Sequence, residues 1–277
     1  MIHPTAIVGR EVELAGAVEI GPYSLIIGKV RIGEGTVIQS QVRIEGETEI
    51  GKNNQIYPGA VLGSSPQHSK YQGEKTVLRI GDGNIIREYV TIHRGTGLGG
   101  GVTSVGDGNF LMAYCHLGHD CRVGSRVIMA NSSQISGHVL IEDEAVFSGL
   151  IGVHQFVRIG QLAMIGGGAM VVMDIPPFAI ANGDRARLYG INRIGLKRKG
   201  LSAETIRAIQ KAYEILFRSG LRREEAVQKV EKEISSSQPG GKEVQHLLEF
   251  IRGSERGITR FRPSRKESNS SEDSDSE

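Results

Sequence analysis

An apolar residue returns at every sixth position from Val105 to Val171: Val105, Leu111, Leu117, Val123, Met129, Ile135, Ile141, Phe147, Val153, Ile159, Ile165 and Val171. The same spacing runs from Ile2 to Leu62 and resumes in phase at Ile80, Ile86 and Ile92. This period fits neither a helix face nor the alternation of a flat strand. The positions between anchors are mostly polar or small, and glycine often follows the anchor, as in Val123-Gly124 and Ile159-Gly160. Small or β-branched residues sit four places after the early anchors (Ala6, Val12, Val18, Ser24, Val30, Thr36), which suits a second inward position near a corner. The pattern predicts a parallel β-helix in which each hexad is one short strand plus a corner and the anchors share a core.

Two stretches break the repeat. Residues 63–79 lose the anchors, and residues 94–104 carry Gly97, Gly99, Gly100 and Gly101 and shift the phase by one. Loops thrown out of a regular solenoid are where binding residues tend to collect. The glycine loop lacks the order of a phosphate-binding loop and no helical pattern follows it, so it reads as an excursion beside a site. The repeat is expected to end at Asp174-Ile175-Pro176-Pro177, because consecutive prolines cannot continue a ladder. Helices are expected beyond it: one capped by Ser202 with Ile206, Ile209, Tyr213, Leu216 and Phe217 on its apolar face, a second with Ala226, Val227, Val230 and Ile234, and a third with Val244, Leu247, Leu248 and Ile251. The expected division is a β-helix over residues 1–180, a helical domain over 181–260, and a disordered tail over 261–277, rich in Ser, Glu and Asp.

Composition narrows the class. No tryptophan is present and 38 glycines follow no collagen period, which suits a core of stacked aliphatics with many corners. A net charge of +2 predicts no general affinity for nucleic acid. Met1-Ile2-His3-Pro4 enters the repeat at once, so neither a signal peptide nor a transmembrane segment is expected, and two cysteines do not make a disulfide framework. A reducing cytoplasm is the expected compartment.

Stacking turns spacing into geometry. Three hexads make a coil, so residues eighteen apart lie above one another, about 4.8 Å apart. His119, Gly137 and Gln155 then form one column, with Gly118, Ser136 and His154 beside it. This brings a general base, an unobstructed backbone N–H and a polar amide within reach of one molecule. His93, His116 and His138 lie in the same section, next to both loops. The run from Cys115 to Cys121 looks rich in metal ligands, but His116 and His119 diverge on a strand and corner, and the cysteines fall at inward positions; no metal site is expected.

Both loops, Thr91-Ile92-His93-Arg94-Gly95, His116-x-x-His119-Asp120-Cys121, Gly137-His138-Val139, Val153-His154-Gln155-Phe156, Pro176-Pro177 and Gly195-Leu196-Lys197-Arg198 together resemble the acyl-carrier-protein-dependent UDP-N-acetylglucosamine acyltransferases that begin lipid A synthesis. The resemblance covers residues 1 to about 260. It implies a left-handed coil, which physics alone could not assign because crossovers are usually right-handed. It also implies a homotrimer with sites between neighbouring prisms and a C-terminal helical domain.

The resemblance further implies residue roles. His119 matches the general base, Asp120 its assistant and Gly137 the oxyanion N–H donor. Gln67, Lys70, His93, His116, His138, His154 and Gln155 match sugar or phosphate contacts, and Asn192 and Arg198 match nucleotide contacts. Met164 and Gly167 match the region that measures the acyl chain. The implied reaction moves a 3-hydroxyacyl chain from acyl carrier protein to the 3-position of the UDP-sugar without a cofactor. The related N-acyltransferase of the same pathway carries an extra N-terminal uridine-binding domain, which is not expected here because the repeat begins at Ile2. The chain departs from the family pattern at Ile194, where glutamate is common, and at His68, where aspartate is common. Because a histidine beside the acceptor disfavours a bound ammonium, His68 raises the alternative of a 3-amino acceptor and an amide product.

Overall fold

A computed structural model describes residues 1–262 of the 277. The hexads form three parallel sheets that wrap into a triangular prism. The first sheet has nine strands from Ile7–Val8 to Met170–Val171, the second has eight from Glu13–Leu14 to Arg158–Ile159, and the third has ten. The coil is left-handed. Partners on successive coils are eighteen residues apart, as in His116 with Gln134 and Gln134 with Gly152. The anchors fill the axis: Ile26, Ile44, Leu62, Ile92, Leu117 and Ile135 are all fully buried. The first anchor, Ile2, is half exposed because the open end of the prism has no coil below it.

Both loops are shorter than the sequence suggested, because pairing resumes at Val77 and at Val102. Val61 pairs with Thr91 and Thr91 with His116, so these two coils take thirty and twenty-five residues; the anchors stay aligned, with one irregularity after Leu62, where Ser64 pairs with His93. A buried ladder shows how the register is kept. Asn54 Oδ1 accepts the Asn84 backbone and side-chain N–H groups at 2.8 and 3.0 Å, and Asn84 Oδ1 accepts those of Asn109, both at 2.9 Å. Each buried amide finds its partner on the next coil, as burial of a polar group requires. Non-glycine residues hold left-handed corners, among them Asp120, His138 and Phe156 at φ near 60°. The corner N–H of His138 then donates to His119 O on the coil below at 2.9 Å.

The ladder does not end at the two prolines. They occupy a corner, where no ladder N–H is needed, and Ala179–Asn182 then pairs in parallel with Met164–Ile165. An antiparallel strand, Arg187–Ile191, closes that sheet. Helix α1 (Arg193–Arg198) follows; it is too short to show a period, and the sequence reading missed both it and the strand pair. Helices α2 (Ala203–Arg218), α3 (Arg223–Glu233) and α4 (Gly241–Arg252) carry the expected apolar faces, and Ser202 Oγ caps α2 by accepting from Thr205 N at 3.2 Å. The chain returns to the prism where Ile258 bridges Asp174. Phe261, expected in the tail, instead bridges Leu188 and lies 5.7 Å from the Phe217 ring, because an aromatic at this point has an apolar surface to cover. Residues 263–277, expected to be disordered, lie outside the described residues. Among the described residues no helix is long and apolar enough to cross a membrane.

Candidate active site

His119 and Asp120 sit at the corner between the first and second sheets, both about 4% exposed. His119 Nδ1 lies 2.8 Å from Asp120 Oδ2, which orients the ring and leaves Nε2 for a substrate. The carboxylate is itself held. Thr96 N donates to Oδ1 at 2.9 Å, Thr96 Oγ1 donates to Oδ2 at 2.7 Å, and the Asp120 backbone N–H donates to Thr103 Oγ1 at 2.8 Å. The glycine loop thus acts as a clamp on the Asp120 carboxylate behind the His119 ring. Neither threonine was picked out by sequence reasoning. The only signal was the extra seven residues in that coil, which carry Thr96 across to Asp120.

One coil up, Gly137 stands over His119. A Cβ placed there would lie 2.6 Å from His119 Cε1 and 2.7 Å from Nε2, so no side chain fits without displacing the ring. The Gly137 N–H donates to no backbone acceptor among the described residues. A cavity of about 190 Å³ opens at this point, and its walls include Gln67, His93, His116, His119, Gly137 and Gln155. His93 Nδ1 lies 2.5 Å from Ser65 O, and His116 Nδ1 lies 2.8 Å from Thr91 Oγ1. Burial, with smaller contributions from the charges of His93 and His119, pushes the His116 imidazole down to about 4. It therefore meets a ligand as a neutral group.

His68 and His138 flank the base from outside this cavity. Their ring centroids are 5.1 and 5.0 Å from that of His119, and His138 also stacks on Phe156 at 4.4 Å. Burial lowers the His138 imidazole, against the opposing pull of Asp120. His154 and Lys70 are exposed and do not line the cavity. Cys115 and Cys121 are buried and their thiols donate to Ala130 O and Ser136 O; burial pushes the Cys121 thiol up to about 12. Among the described residues His119, Asp120 and His138 bring possible ligand atoms within 4.8 Å of one another. Both Asp120 oxygens, however, already accept from Thr96, which makes the group an oriented dyad more than an open ligand set.

A family model described as UDP-N-acetylglucosamine O-acyltransferase, domain 2, matches residues 174–259, and one described as bacterial transferase hexapeptide (six repeats) matches residues 29–64 and 102–137. The acyl-[acyl-carrier-protein]–UDP-N-acetylglucosamine O-acyltransferase of Thermodesulfovibrio yellowstonii is 52% identical over 259 residues, covering 94% of this chain and 99% of its own length. The chain belongs to this acyltransferase family. The enzyme of Halorhodospira halophila is 48% identical with the same coverage. The solved UDP-N-acetylglucosamine O-acyltransferase of Moraxella catarrhalis superposes with a TM-score of 0.90 at 41% identity, covering 94% of this chain and 99% of that one. The Arabidopsis enzyme gives 0.79 at 34% identity, with 94% and 98% covered.

The remaining residues expected in this acyltransferase's site lie elsewhere on the prism. Met164 is on the third sheet and Gly167 at the corner between the third and first sheets, both exposed. Asn192 caps and Arg198 ends α1, which lies at the corner between the second and third: Asn192 Nδ2 donates to Leu162 O at 3.0 Å and Lys199 pairs with Glu144 at 2.6 Å. Asn192 is buried and its Oδ1 caps α1 by accepting from Gly195 N, which leaves one amide hydrogen uncommitted; Arg198 is exposed. His119, the pair Asn192 and Arg198, and Gly167 therefore occupy three different edges of one chain, with Met164 on the third sheet.

Proposed function

We propose that the protein transfers a 3-hydroxyacyl chain from acyl carrier protein to the 3-hydroxyl of UDP-N-acetylglucosamine, the first step of lipid A biosynthesis, in the cytoplasm. His119 Nε2 takes the hydroxyl proton as the oxygen attacks the thioester carbonyl, and Asp120 steadies the imidazolium that forms. The Gly137 N–H receives the tetrahedral oxyanion. Collapse breaks the C–S bond, and the carrier's thiolate leaves with the proton held by His119. The observation that carries this reading is Gly137 against the His119 ring, a contact that keeps base and oxyanion donor adjacent and excludes every larger residue.

The enzyme works as a homotrimer in this reading. Three functional groups on three edges of one prism meet only when neighbouring prisms stand side by side, so that one chain's His119 corner faces another's α1 and Gly167 corner. Gln67, His93, His116 and Gln155 hold the sugar and phosphates around the cavity, with His68, Lys70, His138 and His154 on its approach. The test is turnover of UDP-N-acetylglucosamine with 3-hydroxyacyl carrier protein. His119→Ala and Gly137→Ala are each expected to lower kcat by about 10²-fold or more without loss of assembly. Turnover within a few fold of wild type in either variant refutes the role of that residue.

A further inference from the structure

A second, larger cavity lies away from the His119 site. This groove of about 970 Å³ runs between the C-terminal end of α2, the strand Arg187–Ile191 and the segment 258–262. Arg218, Arg223, Arg260 and Arg262 line it and no carboxylate does. All four are exposed, and among the described residues none forms a salt bridge, whereas Arg207 and Lys211 on α2 pair with Glu204 and Glu233, and Arg252 on α4 pairs with Glu231. Two of the four guanidinium groups are seated on rings: Arg218 lies 4.7 Å over Phe261, and Arg262 lies 5.4 Å over Tyr189. Two of the four cations are thereby held in place, so the groove is a partly preorganised site for an anion.

The chain itself supplies one. Arg262 is both a wall of the groove and the last described residue, and Glu267, Glu272, Asp273, Asp275 and Glu277 follow it, with only serine and asparagine between them. The basic pair Arg265 and Lys266 precedes these acids in the sequence. The match to the Thermodesulfovibrio enzyme uses 99% of that relative yet spans only 259 residues, so the relative has no counterpart for a segment of this length. Fifteen residues reach about 50 Å when extended, far enough to cross the groove. A tether this short presents its charges at an effective concentration on the order of millimolar, so contacts too weak between separate molecules hold within one chain.

We propose that the acidic segment 267–277 docks in the arginine groove of its own chain, as a tethered occupant that any anionic macromolecule approaching this face must displace. The test uses the full chain carrying Ser274→Cys labelled with a benzophenone photocrosslinker; Cys115 and Cys121 are buried and escape labelling. Crosslinks are expected to concentrate on residues 216–223 and 258–262. They are expected to fall about five-fold or more in an Arg218→Glu, Arg223→Glu background and in 1 M salt, where charges more than about 3 Å apart are screened. Crosslinks spread over the whole surface, or undiminished by charge reversal, overturn the proposal. Mixing isotope-labelled with unlabelled chains adds a second check, since links between unlike copies refute docking within the chain. Groove arginines protected by added acyl carrier protein, with no tail crosslink, overturn it in favour of a separate acidic partner.

Discussion

Thr96→Val isolates the clamp behind His119, the proposed base. The substitution is close to isosteric. It deletes the 2.7 Å O–H donor to Asp120 Oδ2 and keeps the backbone N–H that reaches Oδ1 at 2.9 Å. A hydrogen bond to a charged group contributes about 1.5–3 kcal/mol, and the surviving donor retains part of that orientation. A loss of about 1.4 kcal/mol in the transition state is expected, which is tenfold in kcat. KM should stay within about twofold, because Thr96 is buried and does not line the cavity. Thr96→Ser, which keeps the hydroxyl, should restore most of the rate. The decisive assay is a double-mutant cycle on steady-state kcat. If Thr96 acts through Asp120, its valine variant costs almost nothing further in an Asp120→Ala background. Full additivity of the two losses would refute the clamp and leave Thr96 as a loop residue only.

Gly167→Met should shift donor preference toward shorter acyl chains with little change in Tm, because the nearest atoms to an added Cβ are Gly149 O at 3.5 Å and Ser148 Cβ at 3.8 Å; an unchanged ranking across a panel of acyl carrier protein thioesters places the ruler elsewhere. His68→Asp should lower kcat/KM for the 3-amino analogue relative to UDP-N-acetylglucosamine, since a carboxylate 5 Å-scale from the base favours bound ammonium; no relative change shows that His68 does not select the acceptor. His116 is held neutral in the folded chain, with its imidazole near 4 against 6.5 when free. Between those values the unfolded chain binds a proton that the folded chain does not, so stability falls as pH drops from 6.5 toward 4. Tm measured across that window should fall less steeply in His116→Gln, and parallel curves would refute the assignment.

The repeat was legible because its anchors are a strict count: Ile80 and Ile165 point inward for the same reason, and no tertiary context overrides a shared axis. The column of His119, Gly137 and Gln155 followed from that count alone. What escaped depended on chain that does not count in sixes. Thr96 reaches Asp120 from a loop whose path no spacing rule gives. The strand Ala179–Asn182 was hidden by Pro176 and Pro177, which read as a stop when their place at a corner is unknown. Helix α1 spans six residues and shows no face, so its cap, Asn192, looked like a ligand contact alone. The arginine groove joins residues from α2, the closing strand and the last described segment, and no local pattern announces it.

The asparagine ladder through Asn54, Asn84 and Asn109 has a consequence for how this molecule can be tuned. Excursions of twelve and seven extra residues leave the anchors stacked, with one local irregularity after Leu62, so distance along the axis is quantised in steps of about 4.8 Å. No insertion or deletion can slide one functional row past another by a fraction of a step. Graded adjustment is left to the bulk of side chains at fixed addresses. If the proposed acyl-chain role of Met164 and Gly167 holds, donor length is set by what fills those positions, while the frame sets only the coarse scale.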